Sequence, residues 1–77
     1  MVVEDDNLQA SYVEDVLIEA SYQVTIARTA SEAMGTFDQE EFDIVLLDLI
    51  LPDGNGLAVL SHIMTNSDTP VVVVSGK

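Results

Sequence analysis

The stretch FDIVLLDLILPDGNG, Phe42 to Gly56, decides the fold. Ile44 to Leu47 and Leu49 are apolar and close around one carboxylate, Asp48. A charge at the end of such a run costs several kcal/mol unless something compensates it. Phe42 to Leu47 lacks the alternation of a half-exposed strand and predicts one covered on both faces, as in parallel sheets. The residues after it, LPDGNG (Leu51 to Gly56), carry Pro52 and Gly54 and predict a sharp loop.

Working outward, the same alternation of strand and helix repeats on both sides. Met1 to Glu4 predicts a short strand that stops at the acids Glu4, Asp5 and Asp6. Leu8, Tyr12, Val13, Val16, Leu17 and Ala20 recur at helical spacing. Asp6 and Gln9 suit the cap of that helix. Gln23 to Ala27 alternates and is β-branched, predicting a second strand. Thr29 to Glu32 (TASE) has the pattern of a capping box and opens a second helix through Ala33, Met34 and Phe37. Leu57, Val59, Leu60 and Ile63 mark a third helix ending near Asn66, and TPVVVVSGK ends the chain with a fourth strand, Val71 to Ser75. The order β-α-β-α-β-α-β predicts a doubly wound α/β fold with a parallel sheet and right-handed crossovers.

Composition bounds the rest. Seventy-seven residues allow one small domain. A chain of this size buries only about 60–65% of its unfolded surface, so its stability is marginal. There is no cysteine, which excludes disulfides and thiolate metal sites, and no apolar run near the roughly 20 residues that span a bilayer. With acids at the N-terminus where a signal peptide would be basic, a cytoplasmic protein is expected. Fourteen acidic residues against two basic ones give a formal charge of −12. That argues against direct nucleic-acid contact, which takes Lys and Arg, and against an anionic membrane surface.

In open α/β sheets, ligands bind beyond the carboxyl ends of the strands where strand order reverses. With order 2-1-3-4, Glu4 and Asp5 after the first strand and Asp48 after the third flank that point, and Ser75 ends the strand next to it. Three carboxylates in one pocket do not all ionise cheaply without a cation. The donors are all oxygen, so a hard ion is expected: Mg²⁺, with Mn²⁺ as the alternative.

VVEDD, DIVLLDLILPDGNGL and TPVVVVSGK, taken together and in this order, resemble the receiver domain of two-component response regulators, and the resemblance covers the whole chain. It implies the flavodoxin-like form of the doubly wound fold. It also implies that Asp48 is the phosphoacceptor for a histidine kinase or phosphotransfer protein, and that Glu4, Asp5, Asp48 and the backbone carbonyl of Ile50 hold Mg²⁺. Ser75 matches the switch hydroxyl, and Gly76 the small position after it. Such a domain accepts a phosphoryl group rather than acting as an enzyme, and it switches an output domain outside this chain.

Receivers continue through a fourth helix, a fifth strand bearing a phosphate-contacting lysine, and a fifth helix; none of these has a counterpart here. Residues 1–77 are therefore read as the N-terminal part of a receiver domain, and Lys77 is too close to Ser75 to be that lysine. An uncovered Val71–Ser75 strand is a sheet edge that invites pairing, so a homo-oligomer through the fourth strand is expected. The competing reading is a truncated or pseudo-receiver that binds a partner, or itself, without phosphotransfer. A haloacid-dehalogenase-like phosphatase fits poorly. Its nucleophile ends the first strand and a second Asp follows two residues on, where this chain has Ile50. His62 lies away from the acidic rim, and the loop lacks the ligand pattern of an EF-hand.

Overall fold

Short runs of valine, isoleucine and leucine form the centre of the molecule. The computed structural model describes residues 1–74. In chain order they form β1 (Val2–Val3), α1 (Asn7–Glu19), β2 (Ile26–Ala27), α2 (Ala30–Gln39), β3 (Val45–Leu47), α3 (Gly56–Asn66) and β4 (Val71–Val73). All strand pairs are parallel, in the order β2-β1-β3-β4. This is the doubly wound, flavodoxin-like arrangement expected from the alternation of apolar runs.

Strand alternation divides the core. Val3, Ala27, Val45 and Leu47 are fully buried in one cluster with Ala30 and Ala33 of α2 and Val59 and Ile63 of α3. Small residues at 30 and 33 let α2 approach the sheet closely. Val2 points the other way, on the face where α1 packs against β1.

Three expectations are corrected. The second and third strands are shorter than Gln23–Ala27 and Phe42–Leu47: ladder pairing begins at Ile26 and Val45. Asp43 and Ile44 are exposed and lie outside the sheet, so hydrophobicity extends further than the pairing does. The buried face of α1 also differs from the one that the spacing selects. Ala10 is buried and Val13 and Leu17 are half-buried, while Leu8, Tyr12 and Val16 face outward at 83%, 72% and 50% exposure. Apolar residues surround this helix, so the packing against β1, not the periodicity, selects the face. Finally, the TASE box is offset. Thr29 Oγ1 accepts from Glu32 N–H (3.1 Å), but Glu32 Oε1 takes the N–H of Arg28 (3.1 Å) rather than that of Thr29.

Two backbone features shape the connections. Ser21 has φ +73° at the end of α1, where Ser21 N–H bonds Ile18 O and Tyr22 N–H bonds Leu17 O, both at 2.9 Å. This is a Schellman closure with serine where glycine is usual. Gly56 opens α3 hard against the backbone just after β3, and a Cβ there would lie 2.1 Å from Leu49 O. Among the described residues β4 lies at the sheet edge, with Val72, Val73 and Val74 exposed, and no helix is long and apolar enough to cross a membrane.

Candidate metal and phosphoacceptor site

Register assembles the site. Val3 pairs with Leu47, so the next residues, Glu4 and Asp48, emerge side by side from neighbouring strands. Backbone bonds continue one step past the ladder: Glu4 N–H to Ala27 O (2.9 Å) and Asp48 N–H to Val3 O (3.0 Å). Both side chains are buried, at 6% and 4% exposure, and Asp5 beside them is exposed. One carboxylate oxygen of each of Glu4, Asp5 and Asp48 lies within 4.8 Å of the others.

Local hydrogen bonds orient Asp48 and Glu4. Asp48 Oδ1 accepts the N–H of Ile50 (2.9 Å), which leaves the second oxygen to the pocket. Glu4 Oε2 accepts the N–H of Asp6 (3.2 Å). Asp6 is the cap of α1, Oδ1 accepting from Leu8 N–H (2.9 Å) and Gln9 N–H (3.3 Å), and it takes no part in the acidic cluster. Burial pushes the Glu4 carboxyl above its ordinary range. The bond from Asp6 N–H opposes this, and the charges of Asp48 and Asp5 add to it. Crowded, half-desolvated carboxylates of this kind suit a hard divalent cation, whose charge would reverse that shift.

The β3–α3 loop holds Ile50 beside Asp48. Gly54 N–H bonds Leu51 O (2.9 Å), closing a turn over Pro52 and Asp53, and Gly54 takes φ +74°. Asp53 lies in the loop that LPDGNG predicts. In the structure its carboxylate also caps α2, accepting from Ala30 and Ser31 N–H, and these bonds hold its pKa below the ordinary value. No local pattern signals this, because the partners are 23 and 22 residues apart. Arg28 follows Ala27 and its guanidinium donates to Asn7 Oδ1 near the same rim. His62 lies elsewhere, Nε2 2.7 Å from Asp38 Oδ1 and edge-on to Phe37. Ser75, together with Gly76 and Lys77, lies outside the described residues.

The family model of the response regulator receiver domain matches residues 1–77. The chain belongs to this family. Similar to this receiver, at 34% identity over 77 residues, is the transcriptional regulatory protein KdpE of Staphylococcus aureus. The match takes in 100% of this chain and 33% of KdpE. Among solved structures, the anti-anti-sigma factor PhyR of Bartonella quintana, complexed with the anti-sigma factor NepR, superposes with TM-score 0.86 and 32% identity. It covers 95% of this chain and 31% of PhyR. The MaeR response regulator bound to beryllium trifluoride superposes at 0.84 with 26% identity, over 99% of this receiver and 65% of MaeR. The chain thus spans about a third or less of the length of the curated regulators it matches. The family is one of two-component signalling, and its acidic Mg²⁺ site has a counterpart in the Glu4, Asp5 and Asp48 cluster.

Proposed function

We propose that this receiver accepts a phosphoryl group on Asp48 from a histidine kinase or phosphotransfer protein in the cytoplasm. The convergence of Glu4, Asp5 and Asp48 within 4.8 Å carries that reading. Glu4, Asp5, Asp48 and the carbonyl of Ile50 would hold Mg²⁺, or Mn²⁺ in its place. When bound, that ion supplies charge neutralisation for phosphoryl transfer, a reaction governed by alignment and electrostatics.

The chain's own groups do the positioning. Ile50 N–H pins Oδ1 of Asp48, so the other oxygen is the nucleophile. It attacks phosphorus as the bond to the donor imidazole breaks; the nitrogen leaves with the electron pair and takes up a proton. The aspartyl phosphate brings close to two negative charges, and the Ser75 hydroxyl would hydrogen-bond a phosphoryl oxygen. Drawing Ser75 inward would switch an output domain elsewhere in the protein. On this reading residues 1–77 are the N-terminal part of a receiver, as the 65% coverage of MaeR suggests, and the domain is a phosphoacceptor rather than an enzyme.

Calorimetric titration of the chain and its Asp48→Asn variant with Mg²⁺ tests this. Saturable binding that weakens in the variant is the expected result. Absence of binding by the folded chain would refute the reading. The exposed valines of β4 favour a second one, in which the 77-residue chain pairs with itself along that edge. A monomeric mass by light scattering at tens of micromolar would exclude it.

A further inference from the structure

The loop after Asp48 is tied to a second element by one side chain. Asp53 lays its carboxylate across the start of α2, Oδ1 accepting from Ala30 N–H (3.1 Å) and Oδ2 from Ser31 N–H (3.2 Å). A helix begins with N–H groups that lack intrahelical partners. In α2 these are divided between two accepting side chains. Thr29 takes Glu32 N–H through Oγ1, and Asp53 takes the two before it. Only the Asp53 cap comes from the loop that carries the acidic site.

The segment from Asp48 to Asp53 is thereby held at both ends. Its near end is the buried Asp48, bonded to Ile50 N–H; its far end is the turn closed by Gly54 N–H on Leu51 O and fastened by Asp53 to α2. Between the two lies Ile50, itself 50% exposed and without side-chain burial to fix it. Backbone bonds alone would leave its carbonyl dependent on whatever restrains the turn.

We propose that Asp53 is a positioning residue for the acidic pocket. By anchoring the β3–α3 loop on α2 it sets the Ile50 carbonyl and the Asp48 carboxylate for cation binding, and it couples the first turn of α2 to the occupancy of the pocket. This rests on the metal-binding reading above. An aspartate suits the task because each oxygen takes one N–H and the charge is favoured at a helix N-terminus. Asparagine keeps one acceptor oxygen and loses the charge; alanine loses both bonds.

The test is a Mg²⁺ titration of the ¹H–¹⁵N spectrum of wild type, Asp53→Ala, Asp53→Asn and Thr29→Ala. Thr29→Ala weakens the same helix end without releasing the loop. Asp53→Ala is expected to bind Mg²⁺ about tenfold more weakly, the lower end of what loss of an outer support costs a metal site. Asp53→Asn falls between it and wild type, and Thr29→Ala binds as wild type does. In wild type the amides of Ala30 and Ser31 shift with the same midpoint as those around Asp48, and in Asp53→Ala the α2 amides stay still. Equal affinity in wild type and both Asp53 variants overturns the proposal, as does an equal loss in Thr29→Ala. If Asp53→Ala lacks a folded spectrum, Asp53→Asn against Thr29→Ala decides in the same way. Failure of wild type itself to bind Mg²⁺ overturns this proposal together with the metal-binding reading, whereas binding unchanged by the substitutions overturns this one alone.

Discussion

Replacing Asp48 by Asn should stabilise the metal-free protein, although Asp48 is buried and hydrogen-bonded. Its carboxylate shares a pocket with those of Glu4 and Asp5, oxygens within 4.8 Å. Two unit charges at that separation repel by about 3.5 kcal/mol at an effective dielectric of about 20, a ceiling for a pocket open to water on the Asp5 side. Asparagine retains an oxygen for Ile50 N–H and so keeps the 2.9 Å bond, losing only its charge assistance, about 1 kcal/mol. The balance favours the variant by about 1–2 kcal/mol, which for a domain of this size raises Tm by roughly 5–10 °C. Mg²⁺ should narrow this gap: ligand at a hundred times Kd adds about 2.7 kcal/mol to wild type, and less to a variant that binds more weakly. Thermal melts by circular dichroism at pH 7, in EDTA and in excess Mg²⁺, measure both effects. An Asp48→Asn protein that melts below wild type in EDTA would refute the repulsion argument. Equal stabilisation of both proteins by Mg²⁺ would remove Asp48 from the metal site.

Further outcomes follow from the same structure. Burial holds the Glu4 carboxyl above its ordinary value of 4.5, so the folded chain keeps that proton more tightly than the unfolded one. Its contribution to stability is therefore complete below pH 4.5 and is lost as pH rises through the folded pKa; urea titrations in EDTA should show this fall, and Glu4→Gln should flatten it. Gly56→Ala should cost about 3 kcal/mol or more, because the added Cβ meets backbone atoms of Leu49 at 2.1–2.6 Å; an unchanged urea midpoint would contradict that contact. Ser21→Gly should stabilise by about 1 kcal/mol, relieving a φ of +73° in a non-glycine residue, and a lower Tm would show that Ser21 gains something else there.

The fold was legible because its signals are local and repeated. Each apolar run became a strand and each periodic run a helix, and Asp6 capped α1 as its spacing suggested. The acidic cluster was legible too, since topology alone sets the ends of β1 and β3 side by side. What escaped were consequences of pairing and packing. The strands stop where a partner stops, so Ile44 is as greasy as Val45 and yet lies outside β3. The inward face of α1 is selected by contact with β1, and apolar residues spread around the helix carry no mark of that choice. The Asp53 cap and the Gly56 approach join residues that only the folded chain brings together. The role of Ser75 rests on the family resemblance alone.

The site is thus a product of register rather than of motif. Glu4 and Asp48 come from separate motifs and converge because Val3 pairs with Leu47. A slip of one residue between β1 and β3 would send Asp48 to the opposite face and break the cluster. The ladder is short, β1 pairing through two residues and β3 through three, so the burial of Val3, Val45 and Leu47 does most to fix the register. Contacts that hold β3 from outside the sheet add to this. Gly56 seats α3 against Leu49, and Asp53 fastens the same loop to α2. Both lie within eight residues of Asp48. The carboxylates repel, the ladder is short, and the domain has little stability to spare. Loop and helix contacts, more than strand pairing, then keep a buried acid pair poised for a cation.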